Sequence, residues 1–408
     1  MTSCKHKNLF SVVLIAILIT AIPLTTENVV FNKKLKMISK LPSLELNRIH
    51  AYQANPKLPI KADSISSLRI LHFGDSHIQA GFLTGEVRRL LANFLNDSLV
   101  SVGYAFPYNI AGTNSPVDYS FSVTGSWAFS KIVGSDTDIS AGLSGMVMET
   151  YDNNTSISIS TKNAKRGDKL FDEVTFFVNV GEIEVNVDCA GGTIVNQSND
   201  HIKIKLANAV SDLNVNFNCN IQNQKPLRVS GLLLVNSLSK LIYSSAGLNG
   251  ADVKSYLKAG EFENQLRFID PHIVIVSLGT NDAYHPLFDS ADFSNNLAIL
   301  IDKIELALPN ATVLLTIPGD HLVSKTSPNL KLLQVKDAIF DLAIKKSCCV
   351  WDFHSIMGGE GSIRLWNSIG LTAPDYLHFN AKGYQLQGEL LFEALTLNDA
   401  LLNNSYSN

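Results

Sequence analysis

Five short apolar runs recur along this chain with helical patterns between them, and that rhythm constrains the fold most. Leu68–Phe73, Lys240–Ser244, His272–Leu278, Thr312–Ile317 and Cys349–Phe353 are nearly continuous hydrophobic segments. A strand that is apolar on both faces belongs between two layers of helices, which is the setting of a parallel sheet. The stretches between them supply those helices. Val87, Leu90, Leu91, Phe94 and Leu95 repeat at i, i+3, i+4, and Phe293, Leu297, Leu300, Ile304 and Leu308 do the same across 292–308. Further helices are predicted over 330–346 and 380–401. The fold class read from this pattern is α/β.

From about 116 to 235 the period changes. Ile183, Val185, Val187 and Cys189 alternate with Glu184, Asn186 and Asp188; Ile202, Ile204 and Leu206 alternate with Lys203 and Lys205; Leu213, Val215, Phe217, Cys219 and Ile221 alternate with asparagines. Period-2 runs between Gly/Asn/Ser-rich turns predict an antiparallel β-sandwich. It interrupts the α/β domain between its first and second strands, so the expected division is a catalytic domain over 66–115 and 236–401 with an insertion at 116–235. Cys189 and Cys219 share the inward phase and are either a bridge or two core thiols. Cys348 and Cys349 read as small apolar filler on opposite faces of a buried strand.

The N-terminus reads as a targeting segment. Lys5 and Lys7 precede an apolar run of sixteen residues, Leu9 to Leu24, short for a spanning helix and suited to a signal-peptide core. Residues 1–28 are therefore expected to be a signal peptide or an uncleaved membrane anchor. Residues 29–65 are expected to be a spacer, and the mature chain periplasmic or held at the inner membrane facing the periplasm. The composition, 46% hydrophobic and 17% charged over 408 residues, supports a sizeable core. A net charge of −4 without a basic block argues against nucleic acid as a partner. Five cysteines are too few for a disulfide scaffold, and no Cys or His spacing resembles a zinc site. No metal or cofactor is called for.

Chemistry-bearing residues fall where open α/β sheets place them, at or beyond the carboxyl ends of strands. Gly74-Asp75-Ser76-His77 follows the first strand, Gly250 the second, Gly279-Thr280-Asn281-Asp282 the third, and Asp375-Tyr376-Leu377-His378 lies beyond the fifth. A serine is a poor nucleophile near neutral pH unless a base takes its proton and an acid orients that base. Ser76, His378 and Asp375 can fill those three roles. The backbone N–H groups of Ser76 and Gly250 and the side-chain amide of Asn281 can form an oxyanion hole. Each also has a plainer reading: Asp75 and Asn281 as helix caps, His378 as a surface histidine. Only the set, in this order, favours chemistry. His77 is expected to point away from the serine and to take a structural or substrate-rim role. The run from Gly103 to Tyr108, with Asn114 and Trp127 after it, either stacks on sugar rings or packs a domain junction. Tyr284 and His285 are expected to line the acyl pocket.

Together these blocks resemble the SGNH, or GDSL, hydrolase superfamily, over residues 70–115 and 236–400. The resemblance implies a flavodoxin-like three-layer fold, metal-free ester hydrolysis, and the roles above for Ser76, Gly250, Asn281, Asp375 and His378. Two departures stand out: His77 replaces the usual leucine, and a long β segment separates the first two blocks. A Gly-Asp-Ser-His block followed by a β insertion looks like the bacterial peptidoglycan O-acetylesterases, in which the inserted domain resembles a carbohydrate-binding module. The expected activity is therefore removal of small O-acyl groups, acetyl foremost, from a cell-wall glycan. A lipid or lysophospholipid esterase, a glycan O-acyltransferase and a glycan-binding protein with a vestigial site are the rivals.

Overall fold

The computed structural model describes residues 44–52, 60–61, 66–162, 169–180, 183–221, 225–396 and 402–403. The N-terminal apolar run, and with it the expected signal peptide or anchor, lies outside the described residues, as does most of the expected spacer. Among the described residues no helix is long and apolar enough to cross a membrane.

A central sheet contains β1 (Ile49–Ala51), β2 (Leu68–Gly74), β3 (Leu241–Gly247), β4 (Ile273–Ser277), β5 (Thr312–Thr316) and β6 (Cys349–Trp351). Their spatial order is β1-β6-β5-β4-β2-β3. Strands β2 to β6 are mutually parallel, and β1 runs antiparallel to β6 with Ile49 opposite Trp351. The chain leaves β2 for β3 on one side, then crosses to β4 on the other. The carboxyl end of β2 is thus the switch point at which such sheets open a crevice.

Alternation along the strands divides the core into two faces. Leu71, Phe73, Val274, Val276, Val313, Leu315 and Val350 share a cluster with Leu266, Leu297, Ile304, Val335 and Ile339, which come from helices Phe262–Ile269, Ser290–Ala307 and Lys331–Lys346. Ile70, Ile275, Leu314 and Cys349 are equally buried on the other face. There helices Phe82–Phe94 and Ala381–Thr396 lie so close that a Cβ on Gly388 would meet the Leu83 carbonyl at 2.9 Å.

β1 falls inside the segment read as a spacer, and the structure corrects that reading locally. Three residues between proline-bearing stretches are too few to show a period. Side chains hold the segment instead: Asn47 Nδ2 donates to Leu390 O at 2.9 Å, and Trp351 Nε1 donates to Asn47 Oδ1 at 3.0 Å.

Two antiparallel sheets account for most of the remainder. One has seven strands, with Phe171–Asn179 and Leu227–Val235 at its centre, and the other has four, with Asn154–Ser160 and Asp212–Asn220 at its centre. Met148, Phe176, Ile202 and Leu232 from the first share a hydrophobic cluster with Phe121, Ile157, Val215 and Phe217 from the second. The alternation expected over 213–219 is observed, with inward residues buried and the asparagines between them exposed. The register places Cys219 opposite Val185 and Cys189 opposite Val215, so the two thiols are separated along the ladder and both are free. Gly103–Ala105 belongs to the seven-stranded sheet, antiparallel to Leu232–Leu234, although its position in the sequence suggested the α/β part.

Candidate active site

The nucleophile turn is built by close approach. A side chain at Gly74 would overlap the Ser277 carbonyl of β4, so only glycine lets β2 end against its neighbour. The Gly74 carbonyl is free to accept the Tyr256 hydroxyl at 2.9 Å. Asp75 then caps the short helix Ser76–Gln79, its Oδ1 accepting the His77 N–H at 2.9 Å. This aspartate is 1% exposed. Burial lifts its carboxyl to about 6, against the pull of the His77 N–H and the Thr280 hydroxyl.

The shift has a consequence for stability. The folded chain holds the Asp75 proton more tightly than the unfolded chain, so this residue costs nothing below about pH 4. Its penalty grows as pH rises through about 6 and is complete above that. Asp75→Asn keeps the capping oxygen and cannot ionise. It is expected to stabilise the fold by about 2–3 kcal/mol at pH 8, with the gain closing at pH 4. Thermal melts at the two pH values check this, and an equal effect at both would exclude ionisation as the cause.

Asp375 and His378 occupy one tight loop in which Tyr376 adopts φ +56°. Asp375 Oδ1 accepts the backbone N–H groups of Leu377 at 3.0 Å and His378 at 2.9 Å, which sets the turn. Its Oδ2 lies 2.7 Å from His378 Nδ1. His378 Nε2 lies 2.9 Å from Ser76 Oγ, across 302 residues of sequence. Partial burial raises the Asp375 carboxyl, but bonds from the His378 ring and from the two backbone N–H groups outweigh it and leave the group below its ordinary range. A carboxylate at Nδ1 places the ring proton there and leaves the Nε2 lone pair facing the serine.

The oxyanion groups are tied to one another. Gly250 sits at φ +79° in an open turn. Asn281 Nδ2 donates to Ala251 O at 2.9 Å, leaving its second amide proton available. The Asp282 carboxylate takes the Val253 N–H at 3.2 Å, and burial pushes Asp282 up to about 7. On the other side of the turn, buried Gln79 accepts the Asn249 N–H at 2.6 Å and donates to Thr113 Oγ1 at 3.0 Å and Asn114 O at 2.7 Å. The Gly250 loop is thus clamped from the nucleophile helix and from the Gly-Thr-Asn-Asp block. Among the described residues the backbone N–H groups of Ser76 and Gly250 have no acceptor.

The remaining expected site residues fare differently. Asn114 borders the site through its carbonyl, by way of Gln79. Trp127 makes its contacts elsewhere: its indole N–H points to Thr124 O and Thr155 Oγ1, and its ring packs on the core of the antiparallel sheets. His285 turns back on its own loop, its Nδ1 accepting the Leu287 N–H at 3.2 Å. Tyr284 lies beside His321, with ring centroids 6.1 Å apart. Tyr104, Phe106 and Tyr108 are almost completely buried, so they pack the junction and do not stack on a sugar. The Tyr108 hydroxyl donates to the Gly247 carbonyl, and that of Tyr104 to the Ser230 carbonyl. His77 makes no bond to the serine; it packs on His378. Gln79 and Tyr384, which carry no motif, are the residues that sequence reasoning missed.

Comparison with known proteins fits this geometry. Residues 228–386 match the GDSL-like Lipase/Acylhydrolase family, a span that contains Gly250, Asn281, Asp375 and His378 while Ser76 precedes it. A solved peptidoglycan O-acetylesterase shares the fold, with TM-score 0.70 at 22% identity, covering 85% of this chain and 97% of that one. An acetyl xylan esterase, AlAXEase, aligns over 38% of this chain and 82% of its own, with 20% identity and TM-score 0.32. The lipase/acylhydrolase from Enterococcus faecalis aligns over 38% and 75%, with 20% identity and TM-score 0.31. No curated protein sequence matches. Ser76 lies outside the matched span and the fold brings it from β2 to His378 within that span; residues 228–386 are a GDSL-like acylhydrolase domain, and with Ser76 they complete the site of a serine esterase.

Proposed function

We propose that this esterase removes acetyl groups from the hydroxyls of a cell-wall glycan, peptidoglycan being the substrate of choice. Ser76 Oγ attacks the ester carbonyl while His378 Nε2 takes its proton and Asp375 stabilises the imidazolium. The N–H groups of Ser76 and Gly250 and the Asn281 amide hold the oxyanion. The proton then passes to the departing sugar oxygen and an acetyl-enzyme remains. Water, activated by the same imidazole, releases acetate and restores the serine. The observation that carries this chemistry is the continuous contact Ser76–His378–Asp375, at 2.9 and 2.7 Å.

The substrate reading is supported by the fold shared with a peptidoglycan O-acetylesterase over most of both chains. In this reading the antiparallel sheets between about 116 and 235 are an inserted sandwich that shapes the cleft or grips the glycan strand. The N-terminal apolar run carries the catalytic domain into the periplasm or holds it at the inner membrane. The test is acetate release from O-acetylated peptidoglycan, with acetyl and octanoyl nitrophenyl esters run beside it. Acetate release with preference for the acetyl ester is expected. Turnover confined to the octanoyl ester would make the protein a lipid esterase, and transfer of the acyl group to a glycan acceptor would make it a transferase.

A further inference from the structure

His77 stands next to the nucleophile where the Gly-Asp-Ser-Leu block usually has leucine, and nothing in the acyl-transfer scheme uses it. Its backbone is tied to Asp75, and its ring lies against that of His378, centroids 5.1 Å apart and planes tilted by 30°. Its Nδ1 is 3.0 Å from the Tyr384 hydroxyl. Tyr384 is itself immobilised, parallel to Phe82 at 6.3 Å and edge-on to Phe379 at 5.5 Å. Phe379 continues the aromatic packing into the core through Trp366 at 5.1 Å and Phe353 at 5.9 Å. The ring beside the base is therefore the outermost member of a rigid aromatic wall.

We propose that His77 is the positioning residue of the catalytic base: a neutral ring, anchored by Tyr384, that braces the face of His378 and favours its protonated form during turnover. The inference rests on the esterase reading for its consequence and on geometry for its cause. Ser76 and Asp375 hold His378 at two edge atoms, Nε2 and Nδ1, and the side-chain bond at Cγ lies in the same plane. Restraints that all lie in the ring plane resist out-of-plane tilting weakly, and tilting misaligns the Nε2 lone pair. Contact with the face removes that freedom, and His77 supplies it.

The face contact also has an electrostatic side. His378 becomes cationic when it takes the serine proton, and an aromatic face within about 6 Å attracts a cation. The groups around His378 permit this. Asp375 is ionised at its edge, Asp75 is buried nearby, and His321 is pushed down to about 4 by burial. Burial first, and then the charge of His378, push His77 down to about 3, so it does not compete for the proton. A leucine would fill the volume without offering a π face.

The full chain with His77→Leu, His77→Phe and Tyr384→Phe tests the proposal. Two readouts are followed: the pH profile of kcat/KM on the acetyl ester, and the pH at which the His378 ring resonances move in NMR spectra. His77→Leu is expected to lower plateau kcat several-fold and to move both the acid limb and the resonance transition down by about half a pH unit. His77→Phe keeps the face and loses only the bond to Tyr384, and Tyr384→Phe removes that same bond from the other side, so both should fall between wild type and His77→Leu. An unmoved transition in His77→Leu overturns the inference, as does His77→Phe behaving like His77→Leu. The NMR readout needs no turnover, so an inactive wild type whose His378 transition still responds to His77→Leu would sink the esterase reading and leave this one standing.

Discussion

Alanine at Ser76, alanine at His378, and the two together should each slow the acetyl ester reaction by about the same factor, on the order of 10⁶ in kcat. The equality is the informative part. The serine oxygen and the imidazole nitrogen share one proton across 2.9 Å, so removing either ends the transfer and removing both adds no further loss. Independent contributions would instead multiply. The remaining rate should stay about 10³–10⁴ above that in water, because the oxyanion donors are untouched. The turn that carries Gly250 is held by Gln79, Asn281 and Asp282 through bonds that involve neither Ser76 Oγ nor the His378 ring. Steady-state kinetics on the three variants, with melting curves to establish that each folds, measure the effect. A loss below about tenfold for His378→Ala would mean that another base serves Ser76. His77 is poorly placed for that role, because its Nδ1 is bonded to Tyr384 and burial pushes it down to about 3.

The parts of this molecule that could be read from its sequence are those in which chemistry or periodicity is local. β2 and β4 are apolar on both faces, so their runs announce a buried parallel sheet. Asp375 and His378 lie three residues apart, a spacing that one tight loop satisfies, and the serine block ends a strand. What could not be read depends on distant partners. β1 is three residues long and exists because Trp351 and its strand lie beside it. Tyr104 and Tyr108 suited a sugar platform and a packed junction equally, because a sequence does not reveal that the Ser230 and Gly247 carbonyls await their hydroxyls. Gln79 bonds residues 34 and 170 positions away, and no local pattern marks such a residue. Trp127 was drawn toward the site by nearness in sequence to the nucleophile block, but the strand that follows carries it to Thr155.

Asp375→Asn should cost about 10⁴ in kcat while leaving the loop standing. The carboxylate does two separate jobs with its two oxygens. Oδ1 accepts the N–H groups of Leu377 and His378, and an asparagine oxygen can do the same, so the turn that carries the imidazole persists. Oδ2 faces His378 Nδ1 at 2.7 Å, and there the amide nitrogen of asparagine presents hydrogens instead of a lone pair. The ring must answer by moving its own proton to Nε2, which then points a hydrogen at Ser76 Oγ and has no lone pair with which to take one. Asp375→Ala removes both functions and should show the same kinetic loss together with a lower Tm. Comparing the two separates the tautomer from the turn. If asparagine retained more than about a tenth of wild-type kcat, the carboxylate would be a loop clasp alone and the base would set its own tautomer. The acid side of the profile supplies a second check. Bonds from His378 and Leu377 hold the Asp375 carboxyl below its ordinary range, so it remains ionised as the pH falls, and activity lost on acidification should track protonation of the imidazole rather than of its partner.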